Sequence, residues 1–178
     1  MSTNWPSFAT GPRDSIFALG VVCVKFVELE SVFQFVFETI LGLDPDRDMG
    51  KIFTKLGTRA ALELSQDCVR QMGRSDEVKD QISHFLSAMK ICADNRNVLM
   101  HSHMVPRFGD KTVLSKKSKS GSYLYLSIPL AQLRRVADEM NAYCNYGRML
   151  RNALNPVTAY PWPKKPSLPV ALKYPDRG

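Results

Sequence analysis

Arg96, Asn97 and His101 are the residues of this chain whose types and spacing could act together on a substrate. Arginine offers a planar, permanently charged fork that matches a phosphate and the charge growing on it in a transition state. Histidine, with an ordinary pKa of about 6.5, can take or give a proton near neutral pH. Asn97 can orient either of them by hydrogen bonding. The set needs no cofactor. A metal is not expected either: His101 and His103 are two residues apart, about 200° on a helix, and no Cys or carboxylate follows at ligand spacing.

Further candidates surround this core. His103, Arg107, Lys116, Lys117 and Lys119, with Lys111 nearby, could extend a phosphate-binding track, and a solvated basic turn is the plain alternative. Tyr123 and Tyr125 alternate along one run and could stack on bases, although cross-strand packing is the commoner use of such pairs. His84, between Ser83 and Phe85 in an amphipathic stretch, reads as structural.

The elements that must position these residues can be read from hydrophobic period. A first helix is expected from Asp14 or Ser15 as N-cap to about Leu41, stopped by Gly42. It is apolar on more than one side, so it needs more than one neighbour, either within its own subunit or in a second copy. After the charged linker at 43–50, Ile52, Phe53, Leu56, Ala60, Leu64, Cys68 and Met72 recur at three- and four-residue spacing and define a second helix closed by Gly73. Ser75, Asp76 and Glu77 start a third, which ends between His101 and Val105 because Pro106 disfavours helical geometry before it. Two β-prone runs around a Lys/Ser/Gly turn form a hairpin at about 111–128. Leu130 to Leu154 is the last helix, with Leu133, Val136, Ala137, Met140, Tyr143, Cys144 and Met149 inward. The remainder is Pro-rich and extended, with Tyr160 and Trp162 as anchors.

An Arg followed directly by Asn, and then by a His with four residues between Arg and His, on the end of a helix that precedes a hairpin and a last helix, resembles the signature of the HEPN superfamily. The stretch NRNVLMHS carries the resemblance. It implies an all-α fold, a four- to five-helix up-and-down bundle over 14–154 with a small hairpin between the last two long helices. An N-terminal extension at 1–13 and a Pro-rich tail at 155–178 complete the chain. The resemblance also implies metal-independent RNA cleavage by Arg96 and His101, with Asn97 assisting, in a cleft shared by a homodimer. A toxin-antitoxin or defence setting, with an antitoxin as protein partner, would suit such an enzyme. Many members of the superfamily keep the scaffold without the nuclease, so a non-catalytic module binding nucleotide, nucleic acid or protein stands as the alternative.

Composition sets the frame. One domain plus a tail suits 178 residues, and 44% hydrophobic with 23% charged residues is ordinary globular usage. The longest apolar run, Ile16 to Val24, is too short to span a bilayer, so no membrane association is expected. The polar start and four dispersed cysteines, read as buried reduced thiols, point to a cytoplasmic protein. Residues 1–95 carry 10 Lys and Arg against 13 Asp and Glu, whereas residues 96–178 carry 14 against 4. A polyanion partner would use such a one-sided basic half. A basic surface that simply aids solubility fits equally well.

Overall fold

A computed structural model of the chain describes residues 12–42, 49–105, 112–118, 121–155 and 160–174. Helix α1 spans Arg13–Leu41, and its first turn is closed by Pro12, whose carbonyl accepts from Ile16 N at 3.1 Å. Neither Asp14 nor Ser15 caps it. Ser15 is instead buried inside the first turn, 2% exposed. At the other end Gly42 takes the left-handed conformation (φ 64°) and returns its N–H to Glu38 and Thr39 carbonyls, the stop expected of a glycine there.

Helix α2 spans Met49–Gln71 but is broken at Gly57 (φ 70°, ψ 164°), so the bundle has five helical segments in four elements. The break resets the helical phase. Beyond it Ala61, Leu62, Ser65 and Val69 face inward, while Leu64 is 38% exposed and Cys68 only half-buried. The face expected from the spacing of Leu56, Ala60, Leu64 and Cys68 is therefore rotated away from the core.

Helix α3, Asp76–Met100, follows Ser75 at the N-cap with Asp76 and Glu77 in its first turn, and α4 spans Leu130–Leu154. Between them lie three antiparallel strands in the order β1 (His103–Val105), β2 (Thr112–Lys117) and β3 (Tyr123–Ile128). The expected hairpin is β2 with β3. The short β1 is an addition, pairing His103 with Ser115. One face of the hairpin turns Leu114 and Ile128 into the core, 1% and 0% exposed.

The core joins all four helices. Phe33, Phe37 and Phe53 meet edge to face with centroids 5.5 to 6.2 Å apart, linking α1 to α2. On α4, Tyr146, Gly147 and Leu150 take the inner positions, whereas Met149 is 43% exposed. At Gly147, α4 packs closely on α1 and α3: a β-carbon there would lie 2.5 Å from Val32 Cγ1 and 2.6 Å from Phe85 Cε2. Of the four cysteines, Cys92 and Cys144 are buried, while Cys23 and Cys68 are only partly so.

The tail at 160–174 is extended and runs alongside α3 in the same direction. Lys165 pairs with Asp80, His84 Nε2 meets Pro166 O at 2.9 Å, and Tyr174 hydrogen-bonds Ser102. Trp162 packs against the core, but Tyr160 is half exposed and anchors nothing among the described residues. The linker at 43–48 lies outside the described residues, as do Arg107, Lys111 and Lys119.

Candidate functional site

Arg96 and Asn97 sit in the last turn and a half of α3, on the side facing α1 and α2. They line a groove of about 530 Å³ that the buried Phe26 and Leu62 and the exposed Val27 also line. The Arg96 guanidinium lies over the Phe26 ring, 5.6 Å from its centroid, and donates to Asn97 Oδ1 at 3.2 Å. The Phe26 contact holds the guanidinium against α1, and the Asn97 contact ties it to its own helix. Cation–π contact of this kind holds an arginine without neutralising it, so its charge stays available to an anion.

His101 is placed differently. Helix α3 is regular to Met100, and His101 (φ −102°, ψ 12°) closes it by donating its N–H to Asn97 O at 3.0 Å. Five residues of such a helix turn by about 140° and advance about 7.5 Å, so Arg96 and His101 leave it on different sides. His101 is exposed and is absent from the groove lining. It continues the stripe of Lys90, Asp94 and Asn97, which edge the groove, all four falling within about 60° around the helix. One chain thus brings Arg96 and Asn97 together and leaves His101 one turn beyond them.

The charge in the groove is balanced. Glu30, Glu63 and Asp94 face Arg59, Lys90 and Arg96. Several of these are already paired: Lys90 with Asp94 at 3.2 Å, Arg59 with Glu63 at 3.1 Å, and Thr58 donates to Glu30. Arg96 has no carboxylate partner among the described residues, which singles it out as the cation open to an added anion.

The remaining candidates are spread over the sheet. His103 on β1 and Lys116 and Lys117 on β2 are exposed, and the two lysines project from opposite faces of the strand. They do not border the groove. Among the described residues no three His, Cys, Asp or Glu side chains converge on a point that could hold a metal ion. No described helix is long and apolar enough to cross a membrane.

A second polar cluster escaped the sequence reading. Asn95, 1% exposed, donates from Nδ2 to Val170 O at 3.0 Å and accepts from Leu172 N at Oδ1, 2.7 Å. Tyr143 donates to the carbonyls of Pro166 and Ser167, both at 3.2 Å, and Glu139 accepts from Val170 N at 3.3 Å. Because Pro166 O can only accept, His84 carries its proton on Nε2, which also lies 2.9 Å from the Tyr143 hydroxyl. Side chains of α3 and α4 therefore hold the main chain of the tail. Burial pushes the Tyr143 phenol up to about 12 and raises the Glu139 carboxyl, so the phenol remains a donor throughout the physiological range. The signal was present: Asn95 occupies the apolar phase of α3 between Cys92 and Leu99, where a polar residue requires a partner.

No protein-family model, curated protein or solved structure matches this chain.

Proposed function

We propose that the chain is a metal-independent endoribonuclease of HEPN type, with its active cleft shared between two copies. The observation that carries this reading is Arg96, held over Phe26 beside Asn97 with no carboxylate partner among the described residues, five residues before an exposed His101. In the cleft, Arg96 of one copy binds the scissile phosphate while His101 of the other moves protons. The ribose 2′-oxygen attacks phosphorus as its proton leaves to a base, the bond from phosphorus to the 5′-oxygen breaks, and that oxygen receives a proton. The products are a 2′,3′-cyclic phosphate and a 5′-hydroxyl end.

The outer stripe of α1 supports the shared cleft. Phe17, Val24 and Val27 are 75%, 66% and 63% exposed, at helical spacing, and Val27 also borders the groove. An apolar stripe of this kind is suited to a second copy of the same chain, related by a two-fold axis. It would bring the partner's motif toward Arg96.

RNA cleavage in EDTA tests the proposal. The wild type should cleave, and His101→Ala and Arg96→Ala should each remove the activity while leaving the fold. Intact RNA at high wild-type concentration, with the protein dimeric, would overturn it for the substrates used.

The three carboxylates of the groove favour a second reading. Glu30, Glu63 and Asp94 would repel a continuous polyanion, so a non-catalytic module that takes a single nucleotide or a protein partner fits the same groove. Nucleotide binding that falls with Arg96→Ala but survives His101→Ala, or protein binding that survives both, in each case without cleavage, would select it.

A further inference from the structure

The register of the sheet sets His103, Ser115 and Tyr125 in one row across all three strands, with Lys117 and Tyr123 opposite one another in the next row along. Paired residues of an antiparallel sheet share a face, and so do residues two apart on a strand. These five side chains therefore share the face turned away from Leu114 and Ile128; His103, Lys117, Tyr123 and Tyr125 are exposed on it, while Ser115 between His103 and Tyr125 is 6% exposed. Burial along β3 alternates cleanly: Tyr123, Tyr125 and Ser127 are exposed, Leu124 and Leu126 half-buried, Ile128 fully buried.

The two tyrosines are 56% and 55% exposed, and neither ring nor hydroxyl has a partner among the described residues. Cross-strand packing does not account for them, since Tyr125 faces Ser115 and Tyr123 faces a lysine. What they present is two exposed aromatic residues whose Cα positions are about 6.6 Å apart along a strand, beside a cation. The surrounding segment 101–129 carries five Lys and Arg against one Asp. Rings that bases can stack on, combined with positive charge that follows a phosphate backbone, are the two components of single-strand recognition.

We infer that the outer face of this sheet is a binding platform for single-stranded nucleic acid, with Tyr123 and Tyr125 stacking on successive bases and Lys117 contacting phosphate. His103, at the far end of the Tyr125 row, lies two residues after His101, so a strand lying across the sheet is led toward the end of α3. For the class of ligand the inference rests on the nuclease reading. Its test does not depend on cleavage.

Fluorescence anisotropy with a 5′-labelled oligodeoxythymidylate is the measurement, because DNA lacks the 2′-hydroxyl and survives whether or not the chain is a nuclease. Binding should weaken steeply with salt, fall about tenfold with each of Tyr123→Ala and Tyr125→Ala, and persist in the Phe variants. Lys117→Gln should weaken binding and flatten the salt slope by about 0.7. Duplex DNA should compete poorly. Absence of wild-type binding, alanine variants that bind like wild type, or a duplex that competes as well as the single strand would each overturn the platform. Cleavage of RNA without such binding would leave the nuclease standing and remove only the platform.

Discussion

Arg96 and His101 lie on one helix that runs unbroken to Met100, and the N–H of His101 is tied to the carbonyl of Asn97, so their side chains diverge instead of meeting. The two residues consequently have separate structural duties. His101→Ala removes an exposed ring and should change stability by less than about 0.5 kcal/mol. Arg96→Ala also loses its contact with Phe26 and should cost about 0.5–1 kcal/mol. Urea denaturation of both variants checks this, and a large loss in either would mean that activity assays report unfolding.

Removing the Asn95 side chain strips Leu172 N–H and Val170 O of their partner at once. Asn95→Ala should destabilise by about 1–3 kcal/mol, the cost of leaving buried polar groups unpaired. Limited proteolysis should then cut within 160–174 well before the helices. Equal protection of the tail in wild type and variant would show that the apolar contacts of Trp162 and Leu172 hold it unaided.

Gly147 leaves no room for a methyl group between Val32 and Phe85. Gly147→Ala gains helix propensity of about 1 kcal/mol but forces α1 and α3 away from α4, at about 1–3 kcal/mol. The thermal midpoint should therefore fall. A rise would show that the three helices separate easily.

Acid stability should depend on Glu28. Hydrogen bonds from Lys25 and Arg148 lower its folded pKa below the ordinary 4.5. Its contribution is therefore present above the unfolded pKa and fades as pH falls through the lower folded value. Glu139 has the opposite sign, since burial raises its pKa and protonation relieves that burial. Denaturation midpoints between about pH 3 and 6 should decline less steeply in Glu28→Gln and more steeply in Glu139→Gln.

Helix bounds were legible where the local signals agree. Gly42 ends α1, and Leu130–Leu154 reads from its own period because nothing interrupts it. The inner face of α2 was not, because Gly57 shifts the phase midway and a count of three- and four-residue steps carries straight through a glycine. Strand β1 is too short to show alternation and exists because β2 pairs with it. At the site, the sequence placed Arg96, Asn97 and His101 on the end of a helix. The groove that takes Arg96 and Asn97 but excludes His101 comes from how α1 and α2 pack, which no local pattern encodes. The same holds for the grip of Asn95, His84 and Tyr143 on the tail, whose partners lie more than 20 residues away in sequence.

A cleft shared between copies makes a demand that no single-chain site makes. Arg96→Ala and His101→Ala, each inactive alone, are unfolded together, refolded as a mixture and assayed on RNA in EDTA. If Arg96 of one copy works with His101 of the other, each mixed dimer regains one intact site, and the mixture should recover about a quarter of the wild-type rate. A mixture as inactive as its components, beside an active wild type treated the same way, would contradict the shared cleft.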